Sequence, residues 1–303
     1  MPLAPTLRDL EAANPRRSTS APGAFQLVLV QPAGYPHVAA FSEIIETVAW
    51  GLRSLGAQVS IDVNRLVVPG PTPILFGANL LEPHEVDLLP TDTVIYNLEQ
   101  VSESSPWCTP QYLSALRRCQ AWDYSARNIA SLARMGVTTT RHVPIGYSPW
   151  LTRITPAATE DIDVLFYGSM NERRSRVIKE LSDAGLNVQA VFGVYGQARD
   201  ELISRAKVIL NAHYYDTGIF ELVRVSYLLA NRKAVVAECG TATEIEPDMA
   251  DAVRLAPYDG LTQACAELVS NDKGRLSLAE KGFARMSARN EALYLGAALD
   301  PRS

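Results

Sequence analysis

The chain has 303 residues, 47% of them hydrophobic and 20% charged, with a net charge of −5. That length suits two domains, and that composition suits a globular protein with real cores. The acidic balance argues against nucleic acid as the main partner, because phosphate binding needs a broad basic surface.

No apolar run approaches the roughly 18 residues of a membrane span. Residues 1–22 are rich in Pro, Ser and Arg, lack an apolar stretch of signal-peptide length, and read as a flexible tail. Cys108, Cys119, Cys239 and Cys265 lie far apart, without the spacing of a zinc site or a disulfide framework. The expectation is a cytoplasmic protein with reduced thiols.

From residue 24 onward, short apolar runs alternate with amphipathic stretches. "AFQLVLVQ" (24–31) predicts a strand, and 41–55 a helix with Phe41, Ile44, Ile45, Val48 and Leu52 on one face. Gly56 ends that helix. Strands follow at "AQVSI", 72–79, 92–100 and 121–125, then a helix over 126–135 and a strand within 139–147. Pro, Thr and Ala interrupt the pattern over 146–161, which predicts a linker. The alternation then resumes, with strands at 162–168, 187–193, 207–213, 233–238 and 252–257 and helices at 171–185, 197–206 and 220–230, before two final helices. Alternation of this kind makes a parallel sheet covered on both faces. The predicted fold is therefore α/β, with two doubly wound Rossmann-like domains (23–147 and 148–285) facing a cleft, and a last segment, 286–303.

The segment "NAHYYDTGIFELVRVSYLLANRKAVVAE" (211–238) gathers His213, Tyr214, Tyr215, Asp216, Phe220, Glu221 and Arg224 where the chain needs only a connection. It leaves the C-terminal end of a strand and enters a helix N-terminus, where backbone N–H groups favour an anion. Asp216, Thr217 or Gly218 can cap the helix, and Glu221 in the first turn suits its dipole. The same carboxylate can accept hydrogen bonds from a ribose diol, and Arg224 can meet a phosphate. His213, Tyr214 and Tyr215 offer donors and flat faces for a base or sugar. Elsewhere, Arg117, Arg118, Arg127, Arg134 and Arg141 stand against Asp123 alone. They read as a solvated helix face or as a weak contact to an anionic acceptor or membrane surface. GxGxxG after a strand, GxxxxGK[ST] and GxSxG are all missing, which removes the usual support for dehydrogenase, P-loop and hydrolase readings.

"FELVRVSYLLANRKAVVAE" and "DVLFYGSMNERR" (163–174) resemble the donor-nucleotide half of GT-B glycosyltransferases, with the flavour of the bacterial family-1-like and CgeB-like group. The resemblance covers about 160–260 and is looser over 24–145. It implies transfer of a sugar from a nucleotide-sugar donor to a saccharide, lipid-linked or small-molecule acceptor, without a metal or other cofactor. It places Gly168, Ser169 and Arg173 or Arg174 by the diphosphate, Glu221 on the ribose, and His213, Tyr215 and Phe220 in the donor pocket. The family's second glutamate falls here on Tyr227, a departure from the pattern. The first domain takes the acceptor, with His37 in the loop after the first strand as the base if the reaction inverts, and the last helices cross back to that domain. The strand ending "YNLEQVSES" offers Glu99 as a second base or as an acceptor-binding carboxylate. A nucleotide-sugar epimerase of the same architecture and a non-catalytic two-lobed binding protein are the competing readings.

Overall fold

The computed structural model describes residues 23–103, 105–214, 219–241 and 243–300. The 1–22 tail, Tyr215 and the capping candidates Asp216, Thr217 and Gly218 lie outside the described residues. The chain divides into two compact units. Residues up to Trp150 together with those from Asn290 onward form one, and Leu151–Arg289 the other.

The first unit holds β1 (Ala24–Leu29), α1 (Ser42–Ser54), β2 (Gln58–Val63), β3 (Thr72–Phe76), α2 (Pro83–Leu88), β4 (Val94–Asn97), α3 (Pro110–Arg118), β5 (Gln120–Asp123), α4 (Ala126–Arg134), β6 (Arg141–His142) and α10 (Glu291–Leu299). Its sheet is parallel, in the order β2-β1-β3-β4-β5-β6. All four positions of β4 are buried, as expected for a strand covered on both faces. Val28, Leu75, Ile95, Leu116 and Leu132 pack together on one side.

Helices α2 and α3 were not anticipated from periodicity, because each is short. Both carry start signals, however. Pro83 and Pro110 stand at first helical positions, and the Thr109 hydroxyl accepts from Tyr112 N at 3.2 Å. Helix α10 lies on α1 because Gly51 leaves room for it: a Cβ there would sit 2.7 Å from a Leu295 methyl. Gly146 N donates to Glu291 Oε2 at 2.7 Å, fixing the helix start.

The second unit holds β7 (Ile162–Tyr167), α5 (Glu172–Asp183), β8 (Val188–Val191), α6 (Gly196–Arg205), β9 (Ala206–Asn211), α7 (Leu222–Ala230), β10 (Ala234–Glu238), β11 (Arg254–Ala256), α8 (Leu261–Ser270) and α9 (Asp272–Ser287). Its parallel sheet runs β11-β10-β9-β7-β8 over a core that includes Val164, Phe166, Val208, Leu210 and Val236. Three helices, α8, α9 and α10, follow the last strand where two were expected. A break at Asn290, whose side chain caps α10 by accepting from Ala292 N at 2.9 Å, separates the third. Both sheets reverse their winding direction once, between β1 and β3 and between β7 and β9. The C-terminal ends of such strand pairs are where doubly wound sheets bind ligands.

Candidate functional site

At the reversal point of the second sheet, the connections after β7, β9 and β10 meet at one edge. Strand β9 ends on Asn211, which is fully buried, and His213 lies two residues on with 5% exposure. The His213 N–H donates to Glu238 Oε2 at 2.9 Å, across from the end of β10. Thr243 Oγ1, from the loop after β10, is 3.4 Å from His213 Nε2.

Three arginines converge here, and the structure separates their roles. Arg174 sits in the first turn of α5, whose N-cap Asn171 accepts from Arg174 N at 2.9 Å. Its guanidinium is 3% exposed and donates to Ala212 O at 2.6 and 3.0 Å, to Ser169 O at 2.8 Å and to Glu221 Oε1 at 3.3 Å. Burial pulls its pKa down to about 10, against the opposing pull of Glu221. Arg173 forms a bidentate ion pair with Glu238 and lies 3.9 Å from the Tyr258 ring centroid. Burial pushes the Glu238 carboxyl up, but the hydrogen bonds from Arg173 and His213 N outweigh it and leave a net depression. Arg224, on α7, is 23% exposed, 3.1 Å from Glu221 Oε2 and 3.3 Å from Asn211 Oδ1.

These contacts revise several sequence expectations. Arg174 was expected beside a diphosphate. Four hydrogen bonds to the chain's own oxygens instead make it a strut between the loops after β7 and β9. Arg173 is held by Glu238, a residue that sequence reasoning passed over because it ends an apolar strand. Phe220 is 5% exposed and belongs to the core, so it offers no open face to a base. Glu221 stands at the N-cap of α7, one residue before its first turn, with no side-chain capping bond. Gly168 (φ +145) was expected to admit a diphosphate, but its missing side chain makes room for Arg224: a Cβ would lie 3.1 Å from Arg224 Nη2. Ser169 is exposed.

The Tyr227 position is also settled. Its hydroxyl donates to Asp200 Oδ2 at 2.8 Å and accepts from Arg153 Nε at 3.1 Å, and Arg199 lies over its ring. A tyrosine engaged in this way supports the helix.

At this edge three polar atoms of the described residues are left unmet. Asn211 Nδ2, His213 Nδ1 and Glu221 Oε2 are buried with no hydrogen-bond partner among the described residues; the approach of Arg224 to Glu221 Oε2 is an ion pair without hydrogen-bond geometry. Unmet buried polar atoms cost on the order of 1–3 kcal/mol each, a cost that a group meeting all three would recover. The trio presents one donor, one acceptor and one ring nitrogen able to serve as either, which matches groups that both give and accept, such as hydroxyls.

In the first unit, the other predicted residues lie at the C-terminal ends of the strands. His37 sits in a 3-10 turn (Pro36–Phe41) just before α1, edge-on to Tyr35 with ring centroids 5.1 Å apart. Glu99 follows β4. Its carbonyl accepts from Asn97 Nδ2 and Asn128 Nδ2, both at 2.9 Å, and burial pushes its carboxyl up to about 7. Asp123, fully buried at the end of β5, is likewise pushed up to about 7 by burial, against hydrogen bonds from Asn97, Ser125 N and Asn128. Sequence reasoning counted Asp123 only as a lone charge among arginines.

Among those arginines, Arg117 donates to Met135 O at 2.9 Å, Arg118 to the Val86 and Leu89 carbonyls at 2.9 and 2.5 Å, and Arg134 to Ser131 Oγ at 3.0 Å. Arg117 and Arg118 lie on α3, and Arg127 and Arg134 on α4. Among the described residues no helix is long and apolar enough to cross a membrane, and no three His, Cys, Asp or Glu side chains gather as a metal site.

No protein-family model matches the chain. An uncharacterised protein of Acanthamoeba polyphaga mimivirus is 26% identical over 193 residues, 59% of this chain and 59% of that protein. A second mimivirus protein, also uncharacterised, is 32% identical over 122 residues, 39% of this chain and 14% of its own length. The chain thus spans less than two thirds of the curated relatives it matches. Solved structures resemble it more broadly. HepE of Anabaena, determined with UDP and glucose, superposes with a TM-score of 0.62 at 12% identity, covering 90% of this chain and 99% of that one. WaaG, a glycosyltransferase involved in lipopolysaccharide biosynthesis, gives 0.57 at 14% identity, covering 92% and 98%. T4 phage β-glucosyltransferase gives 0.56 at 13% identity, covering 91% and 98%. The likeness at these identities is one of fold: the chain has the α/β fold, with two parallel sheets, of the GT-B glycosyltransferases.

Proposed function

We propose that this protein is a metal-independent GT-B glycosyltransferase of the family-1-like, CgeB-like kind, moving a sugar from a nucleotide-sugar donor to a saccharide, lipid-linked or small-molecule acceptor. The observation that carries the reading is the unmet trio of Asn211, His213 and Glu221, between the C-terminal end of β9 and the N-cap of α7. The second unit takes the donor. Glu221 accepts from the ribose hydroxyls, Arg224 and the Ser169 loop meet the diphosphate, and Asn211 and His213 complete the pocket. The UDP bound by HepE is the model for that donor. Arg173 and Arg174 hold the pocket's shape and its positive potential.

The first unit takes the acceptor. Glu99 is taken as the base, with His37 the other candidate: burial pushes the Glu99 carboxyl up to about 7, which suits general-base work near neutral pH. In the transfer, the acceptor oxygen forms its bond to the anomeric carbon while the bond to the diphosphate breaks. The electron pair leaves with the phosphate oxygen, where Arg224 offsets the growing charge, and the acceptor proton passes to Glu99. Inversion follows from this single displacement. The chemistry is assigned to the cytoplasm, where nucleotide sugars are made.

Thermal unfolding with UDP, GDP, TDP and CMP compounds tests the donor site. A ligand at about 100 times its Kd stabilises by roughly 2.7 kcal/mol. One nucleotide is expected to raise the midpoint, and Glu221→Gln to abolish the rise. No response to any nucleotide in folded protein rejects the reading in favour of a two-lobed binder of something else. An isomerised free nucleotide sugar, with no transfer, points to an epimerase.

A further inference from the structure

We propose that Asp123 is a positioning residue for Glu99, acting through Asn97 and Asn128; this rests on the reading of Glu99 as the acceptor-side base. Asn97 and Asp123 are directly paired across β4 and β5. Asp123 Oδ2 accepts from Asn97 Nδ2 at 2.6 Å, and Oδ1 accepts from Asn128 Nδ2 at 3.0 Å and from Ser125 N at 2.8 Å. Each amide then reaches the Glu99 turn. Both donate to the Glu99 carbonyl at 2.9 Å, Asn97 Oδ1 accepts from Glu99 N at 3.3 Å, and Asn128 Oδ1 accepts from Val101 N at 2.8 Å. Tyr112 closes the network by donating to Asn97 Oδ1 at 2.8 Å. The backbone on both sides of the Glu99 side chain is thereby pinned from a neighbouring strand and from α4.

This network explains why a carboxylate is buried here with no Lys, Arg or His paired to it among the described residues. Two amide NH2 groups arrive from opposite sides, and only a carboxylate offers an acceptor to each with no donor of its own. An asparagine at 123 would turn an NH2 toward one of them and break one arm of the clamp. The cost of burying an unpaired acid is retained, and it falls on a group that touches no solvent. The titratable groups that share this edge include Cys108, Tyr112 and His142, the last opposite Asp123 in the strand register and 3.0 Å from Tyr124 O through Nε2. Burial raises Cys108 and Tyr112, and the charges of Glu99 and Asp123 raise them further.

The experiment compares Asp123→Asn, Asn128→Ala and Glu99→Gln in the full chain, with two readouts. One is steady-state transfer; the other is the midpoint of Glu99 followed by carbon-13 NMR of its carboxyl. Glu99→Gln is expected to lower kcat by ~10²–10⁴, the usual worth of a general base. Asp123→Asn is expected to lower kcat roughly tenfold to a hundredfold with donor KM unchanged, through a misplaced base. It is also expected to move the Glu99 midpoint down from about 7 as water enters the loosened turn. Asn128→Ala should act in the same direction and serves if Asp123→Asn fails to fold. Wild-type kcat together with an unmoved Glu99 midpoint in both variants overturns the proposal. If wild type transfers to no acceptor, the base reading falls, and the titration alone decides whether Asp123 holds Glu99.

Discussion

Glu221 and Arg174 lie 3.3 Å apart between Oε1 and Nη2, with 12% and 3% of their side chains exposed. The pair joins the N-cap of α7 to the first turn of α5, and it leaves the second carboxylate oxygen of Glu221 without a hydrogen-bond partner among the described residues. One oxygen is thus a fixed anchor, and the other faces Arg224 Nη1 at 3.1 Å.

Arg174→Lys should test the anchor. Lysine keeps the charge but cannot reach Ala212, Ser169 and Glu221 with one fork, so buried carbonyls lose their donors. A loss of about 2–3 kcal/mol is expected in urea unfolding of the second unit. Unchanged stability would mean that the guanidinium is not a strut.

Gly168→Ala is expected to weaken nucleotide binding by about tenfold while costing on the order of 1 kcal/mol of stability. The backbone at φ +145 disfavours a side chain, and the new methyl would press on Arg224 Nη2, 3.1 Å away. Thermal shift with whichever of the UDP, GDP, TDP and CMP compounds stabilises the wild type measures both effects. Wild-type affinity would show that Arg224 does not set the site.

The pH dependence should differ between stability and activity. Glu99 and Asp123 are acids whose folded pKa values, about 7, stand above their unfolded ones. The folded state therefore holds more protons than the unfolded state between about pH 4 and 7. Stability from these groups is fully present below that window and is lost as pH rises through 7. Activity that needs ionised Glu99 should rise over the same range. Glu238, depressed by its net interactions, works in the opposite sense, and its contribution is lost only as pH falls below the ordinary carboxylate range. Denaturant midpoints from pH 4 to 8 in wild type and Asp123→Asn check this. A wild-type curve rising through that range contradicts the assignment.

Gly146→Ala is expected to destabilise the first unit by about 1–3 kcal/mol through overpacking. Its Cβ would lie 2.7 Å from the backbone N and Cα of Glu291. Hydrogen exchange should report faster opening of α10 than of β9. An unaltered α10 would show that the C-terminal segment tolerates displacement.

What the sequence determined by itself is largely local. The runs that became β1, β3, β7, β9 and β10 are apolar because strands covered on both faces must be, and the face of Ile44, Ile45, Val48 and Leu52 follows from helical period alone. The polar cluster at 211–224 was legible for a similar reason, since its residue types suit a ligand better than a turn. The GT-B fold followed from that alternation and from the resemblance of the 163–174 and 220–238 segments. Tertiary structure decided which of those side chains remain available. Arg173, Arg174 and Arg224 look alike in the sequence. Only the packing of α5 against the ends of β9 and β10 commits the first to Glu238 and the second to backbone carbonyls, leaving Arg224 beside Glu221. Phe220 reads as a stacking face until the fold buries it. Asp123 and Asn128 reach Glu99 from a neighbouring strand and helix, 24 and 29 residues along the chain, a distance that no local period encodes. Burial and partner choice depend on contacts between distant segments, and those contacts give Asn211, His213, Glu221 and Glu99 their chemistry.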